Sequence, residues 1–122
     1  MARILIVEDD EDVRALIGHK LRRAGHDVTE AGDGEEGLAS AKAGAPDLMV
    51  LDWMMPKLTG IEVCAQIRAD TALSQPRILL LTAKSQDSDI ALAMATGADA
   101  YLIKPFRAND LLDRVTALLE NR

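Results

Sequence analysis

Three carboxyl groups, one hydroxyl and one amine stand directly after short aliphatic runs in this chain. Glu8 and Asp9 follow residues 4–7, Asp52 follows 48–51, Thr82 follows 78–81 and Lys104 follows 100–103. Two carboxylates about 6 Å apart repel by roughly 3 kcal/mol at an effective dielectric of 20. Converging acids therefore need a cation or raised pKa values. Hard oxygen donors with no His or Cys beside them suit Mg²⁺, which takes one or two carboxylates plus a phosphate oxygen and keeps several waters. Mn²⁺ is a possible substitute. A cation at Asp9 and Asp52 would draw in a phosphoryl group, and the Lys104 ammonium and Thr82 hydroxyl would complete a cradle for its oxygens. A carboxylate can itself act as the nucleophile and form an acyl phosphate. Asp52 is the candidate, because it ends a central strand between the acidic pair and the Thr/Lys side.

These residues are distant in the chain, so only a fold that gathers strand ends can assemble them. Residues 4–7, 27–30, 48–51, 77–81 and 100–103 read as five strands. The first, third and fourth are solid apolar blocks, as central parallel strands buried on both faces require. The second, Asp-Val-Thr-Glu, is polar and alternating, which places it at an edge. Apolar residues at helical spacing lie between the strands: Val13, Leu16, Ile17 and Leu21, then Val63, Cys64 and Ile67, then Leu111, Val115, Leu118 and Leu119. Residues 34–43 form a weaker Ala- and Gly-rich helix closed by Gly44 and Pro46. Residues 86–96 form another Ala-rich helix, stopped by Gly97.

Five strand–helix pairs in strict alternation predict a doubly wound α/β fold with a five-stranded parallel sheet and right-handed crossovers. The polar second strand favours the order 2-1-3-4-5, the flavodoxin-like (βα)5 arrangement, whose topological switch lies beside strands 1 and 3. Strands 1, 3, 4 and 5 then deliver the acids, the hydroxyl and the amine to one rim. The edge strand runs into Ala31 and Gly32 and adds nothing to it.

With 122 residues, the chain suits a single domain over residues 1–122. Lys and Arg total 14 against 20 Asp and Glu, a net charge of −6, which argues against a phosphate-neutralising surface and direct nucleic-acid binding. At 48% hydrophobic residues the chain is too apolar to be disordered. Aliphatic blocks such as 4–7 and 78–81 fall far short of the roughly 20 residues that a membrane helix needs. Met1-Ala2-Arg3 leads straight into a strand with no signal-peptide pattern. The single cysteine, Cys64, excludes an internal disulfide and suits a reducing compartment, so a cytoplasmic location is expected.

The chain resembles the receiver domains of two-component response regulators, the CheY-like superfamily. The resemblance rests on Ile4-Leu5-Ile6-Val7-Glu8-Asp9-Asp10, Asp47-Leu48-Met49-Val50-Leu51-Asp52-Trp53-Met54-Met55-Pro56, Leu81-Thr82-Ala83 and Lys104-Pro105-Phe106. Gly60 and Gly97-Ala98-Asp99 match as well, so the likeness covers the whole chain in order. It implies that Asp52 accepts a phosphoryl group from a sensor histidine kinase or a histidine phosphotransfer protein. It implies Mg²⁺ held by Asp9, by Glu8 through water, by Asp52 and by the Met54 backbone carbonyl. Thr82 matches the hydroxyl that moves to the phosphoryl group, Lys104 the counter-charge and Tyr101 the aromatic switch residue. Lys104-Pro105 matches a cis peptide bond, and Met54 and Lys84 match positions that tune the acyl phosphate's lifetime. The implied output is a changed face of helix 4, strand 5 and helix 5, read by an effector protein or domain.

Other residues receive plainer readings. Asp10 caps the first helix. Cys64 belongs to the core, Trp53 lies partly exposed beside the site, and His19, Arg22, Arg23 and His26 form a solvated helix face. Ile90, Ala100 and Thr116 stand where receivers that dimerise through charged pairs carry charge, although Asp110 and Arg114 fit that pattern. Ile90 and Leu92 could offer an apolar patch to another partner. Two other functions share some of these residues. A Mg²⁺-dependent phosphohydrolase working through an aspartyl phosphate needs a second Asp two positions after the first, where Met54 stands. A receiver-like adaptor that no longer takes phosphate would have lost the acceptor, the acidic pair or the lysine, and all three remain. The helix ending near Arg122 fits a stand-alone receiver or part of a longer regulator.

Overall fold

The computed structural model describes residues 2–84 and 86–120. Met1, Ser85, Asn121 and Arg122 lie outside the described residues, so the outermost ends of the expected 1–122 domain do too. Five strands alternate with five helices: β1 (Arg3–Val7), α1 (Glu11–Arg23), β2 (Asp27–Ala31), α2 (Gly34–Gly44), β3 (Leu48–Asp52), α3 (Gly60–Ala69), β4 (Arg77–Thr82), α4 (Asp87–Thr96), β5 (Ala100–Ile103) and α5 (Ala108–Glu120). The sheet is parallel throughout and ordered β2-β1-β3-β4-β5, as the polar second strand and the unbroken apolar blocks foretell.

Alternation along each central strand feeds two cores. Leu5, Val7, Met49, Leu51, Ile78 and Leu80 face the layer that holds Val63, Cys64 and Ile67 of α3 and Ala93 of α4. Ile4, Ile6, Leu48, Val50, Leu79 and Leu81 face Ile17 and Leu21 of α1 and Leu111 and Val115 of α5. Every residue of β3 is buried, so its last one, Asp52, has its position fixed by a strand packed on both sides. Cys64 is fully buried, in keeping with a core role, and burial pushes its thiol pKa up.

Helix ends are set by local chemistry. The Asp10 carboxylate accepts from the amides of Asp12 and Val13, while Lys20, Arg22 and Arg23 occupy the last turn of α1, where the helix dipole favours cations. Asp33 caps α2, and Thr59 with Glu62 closes a capping box on α3. By contrast, α4 has no side-chain cap at Gln86 and buries only Ala93. Its C-terminus is held elsewhere. Arg68 donates to the Gly97 carbonyl at 2.9 Å, the Pro76 carbonyl at 2.8 Å and the Asp99 carboxylate at 2.9 Å. His19, Arg22 and Arg23 on α1 are exposed, as a solvated face requires, and Arg22 pairs with Glu30 at 2.9 Å; His26, beyond the end of α1, is half-buried, and its Nδ1 accepts from the Ala2 amide at 3.2 Å. Among the described residues, no helix is long and apolar enough to cross a membrane.

Candidate functional site

The ladders each run one step past the strands, and this aligns the rim. The Glu8 amide donates to the Ala31 carbonyl at 3.1 Å, Trp53 to Leu81 at 2.9 Å and Lys104 to Thr82 at 2.8 Å. In register, Asp52 lies opposite Leu81 and Thr82 opposite Ile103. Glu8, Asp9, Asp52, Met54 and Lys104 thus line one cleft of about 270 Å³.

Glu8 is fully buried and Asp52 is 4% exposed, whereas Asp9 reaches solvent. Burying an unpaired carboxylate is costly, and Lys104 supplies the counter-charge: its Nζ lies 3.0 Å from Glu8 Oε1 and 3.1 Å from Asp52 Oδ1. The other Glu8 oxygen accepts from the Asp10 amide at 3.2 Å. Burial, reinforced by the neighbouring Asp52 carboxyl, pushes the Glu8 pKa up, although Lys104 and the Asp10 amide pull against it. Burial alone would lower the Lys104 pKa, but hydrogen bonds and charge from Glu8 and Asp52 together outweigh it and the net shift is upward.

One carboxylate oxygen from each of Glu8, Asp9 and Asp52 lies within 4.8 Å of the others. Such an all-oxygen set, rimmed by further acid at Asp10, has the chemistry that a hard divalent cation selects. Met54, next in line after Trp53, has a side chain 60% exposed. Its backbone occupies the loop between β3 and α3.

The remaining residues singled out from the sequence stand around this cleft. Thr82 is buried at the end of β4, and its Oγ1 accepts from the Lys84 amide at 2.8 Å. The Lys84 ammonium lies 5.4 Å from the centre of the Trp53 ring, a cation–π contact. Tyr101 is not in the cleft. It is half-buried on β5 against the α2–α3–α4 core, and its carbonyl accepts from Arg114 at 2.6 Å. The Lys104–Pro105 bond is cis.

Trp53 departs from expectation: it is buried, at 7% exposure, and not partly exposed. The chain does not leave the sheet at Asp52, because the Trp53 amide continues the β3–β4 ladder and its carbonyl accepts from Gly60 at 2.8 Å. That hairpin-like closure carries the ring into the core with Met55 and Val63. Arg14, which no sequence motif marks, donates from Nη1 to the Glu8 carbonyl at 2.9 Å.

The sequence matches the family described as "Response regulator receiver domain" over residues 4–116. It is 46% identical over 117 residues to the alkaline phosphatase synthesis transcriptional regulatory protein PhoP of Bacillus subtilis, covering 96% of this chain and 48% of that protein. It is 44% identical over 119 residues to the DNA-binding dual master transcriptional regulator RpaA of Synechocystis, covering 98% and 49%. The chain therefore spans about half the length of these curated relatives. Among solved structures, the receiver domain of the Francisella response regulator 1452 superposes with a TM-score of 0.92 at 30% identity, covering 99% of this chain and 98% of that one. With fold, rim and sequence in agreement, this chain belongs to the response regulator receiver domains, the phosphorylatable switches of two-component signalling.

Proposed function

We propose that residues 1–122 act as one receiver domain in which Asp52 takes a phosphoryl group from the phosphohistidine of a sensor histidine kinase or histidine phosphotransfer protein. The observation that carries this reading is the Asp52 carboxylate, buried, 3.1 Å from the Lys104 ammonium and within 4.8 Å of oxygens of Glu8 and Asp9. An Asp52 oxygen attacks phosphorus, the O–P bond forms and the histidine N–P bond breaks. Its electron pair returns to the imidazole, which takes a proton from water.

Glu8, Asp9, Asp52 and the Met54 carbonyl would hold Mg²⁺, or Mn²⁺ in its place. Bound there, the ion neutralises phosphoryl oxygens and so favours attack by an anion. Lys104 compensates the charge that remains. The Thr82 hydroxyl, now accepting from the Lys84 amide, turns to donate to the new phosphoryl group. Tyr101, on the neighbouring strand, follows and reshapes the α4–β5–α5 face. That shift is a change of populations driven by added charge. Helix α4 is suited to it, with no side-chain cap and a single buried residue. Met54 and Lys84 flank the acyl phosphate and tune its lifetime.

On this reading the domain catalyses only its own phosphorylation and dephosphorylation. The apolar Met54 at the position of an acid/base argues against a phosphohydrolase acting on other substrates. We place the domain in the cytoplasm, with an effector reading its α4–β5–α5 face. The similarity to PhoP and RpaA, transcriptional and DNA-binding regulators about twice as long as this chain, favours an effector acting on transcription, with DNA contacted by the effector.

A small acyl-phosphate donor with Mg²⁺ tests the proposal. One hydroxylamine-labile phosphoryl group per chain is expected, lost with EDTA and in Asp52→Asn. Undiminished labelling of Asp52→Asn contradicts it.

A further inference from the structure

We propose that Arg14 is a positioning residue for the divalent-cation site: by fixing the Glu8 main chain it sets where the Glu8 and Asp9 carboxylates stand, and with that the cation affinity. This inference rests on the reading of Glu8, Asp9 and Asp52 as a cation site and adds a residue that lies outside their cleft.

At the end of a strand, the backbone runs out of ladder partners, and each carbonyl left over needs a donor. The Glu8 amide is satisfied by Ala31 of the edge strand, but the Glu8 carbonyl is satisfied by the Arg14 guanidinium, at 2.9 Å. Two residues on, the Asp10 carbonyl accepts from the Arg14 amide, also at 2.9 Å. Asp9 therefore sits between two residues that are both bound to Arg14, one by its side chain and one by its backbone. The Asp9 side chain is exposed, so its place is inherited from these neighbours and not from packing.

The guanidinium is itself anchored. Its Nε lies 3.4 Å from Glu30 Oε1, and the other Glu30 oxygen is held by Arg22 at 2.9 Å. The Arg14 side chain is only 20% exposed. Gly32, just past the edge strand, leaves it room: a Cβ there would stand 3.3 Å from Nη1. The loop carrying two of the three acids is thus bolted to the edge strand through one planar fork. An ammonium on a thinner stem cannot span the Glu8 carbonyl and the Glu30 carboxylate in the same way.

Charge and positioning predict opposite signs, which makes the inference testable. A cationic side chain near a cation site opposes Mg²⁺ by Coulomb's law, so its neutralisation should tighten binding. Loss of a group that orients metal ligands typically weakens binding by about 10- to 100-fold. Mg²⁺ titrations followed by Trp53 fluorescence and calorimetry, in about 0.15 M salt, should therefore compare wild type, Arg14→Lys, Arg14→Gln and Asp9→Asn. Arg14→Lys keeps the charge and loses the fork, while Arg14→Gln loses the charge and keeps a single donor. Both are expected to bind Mg²⁺ at least 10-fold more weakly, with faster hydrogen exchange at the Asp9 and Asp10 amides and an unfolding midpoint near that of wild type. If either variant binds as tightly as wild type or tighter, the positioning role is overturned. A wild type that binds no Mg²⁺, or an Asp9→Asn variant that binds as well as wild type, overturns the underlying site instead.

Discussion

Lys104 and Glu8 are 96 residues apart in sequence, yet their ammonium and carboxylate meet 3.0 Å apart at the rim of the sheet. The same ammonium lies 3.1 Å from Asp52, so one cation serves two buried acids. A divalent ion bound by Glu8 and Asp9 would take over part of that duty and free Lys104 for Asp52. On the proposed reading Asp52 would then stand between two cations, one built into the chain and one brought from solution.

The Glu8 pKa, raised mainly by burial, gives a pH signature. A carboxyl raised in the folded protein binds its proton there more readily than in the unfolded chain, whose value is near 4.5. Its contribution to stability therefore falls as pH rises from about 4.5 through the folded pKa. In EDTA, urea unfolding of wild type and Glu8→Gln should show wild type losing stability relative to the variant over that range, then levelling. Saturating Mg²⁺, which favours the ionised form, should flatten the trend. A difference that stays constant across the range contradicts the burial account.

Trp53 should report the switch. Its ring is covered by the Lys84 ammonium, and the Lys84 amide is bonded to the Thr82 hydroxyl. Movement of Thr82 toward a phosphoryl group must disturb that bond and the residue above the ring. Mg²⁺ with beryllofluoride, an acyl-phosphate mimic, should change Trp53 emission, and Lys84→Ala should reduce the amplitude of the change. An equal response in Lys84→Ala would show that the β4–α4 junction does not carry the signal to the ring.

Gly60 packs closely against the backbone at the end of β3. A Cβ there would overlap the Asp52 carbonyl and stand 2.9 Å from the Trp53 Cα, and backbone atoms cannot step aside as side chains do. Gly60→Ala should destabilise the domain by about 1–3 kcal/mol, as overpacking generally does, and slow phosphorylation as well. Chemical denaturation and a labelling time course measure the two effects. A variant as stable as wild type would mean the loop relaxes freely.

Much of this was legible in the sequence, because the fold depends on patterns that survive without coordinates. Solid blocks such as 48–51 and 78–81 require burial on both faces, and the polar run at 27–30 tolerates only an edge. The acids, hydroxyl and amine were visible because each ends a strand, and parallel strands put those ends on one rim. The burial of Trp53 is not legible in the sequence, because strand periodicity says nothing of a chain that turns back through Gly60. Nor is the role of Arg14, whose partners are a carbonyl and a carboxylate on two other elements that no spacing along α1 encodes. The double pairing of Lys104 was likewise hidden, since nothing in Lys-Pro names Glu8.

The most direct test is to map the modified residue itself. After reaction with a small phosphodonor and Mg²⁺, borohydride reduces an aspartyl phosphate to homoserine, which peptide mass spectrometry can place in the chain. The account predicts homoserine at position 52 alone, absent without the donor or with EDTA. Homoserine at Asp9 or another acid, or a phosphoryl group carried by His19 or His26, would contradict it.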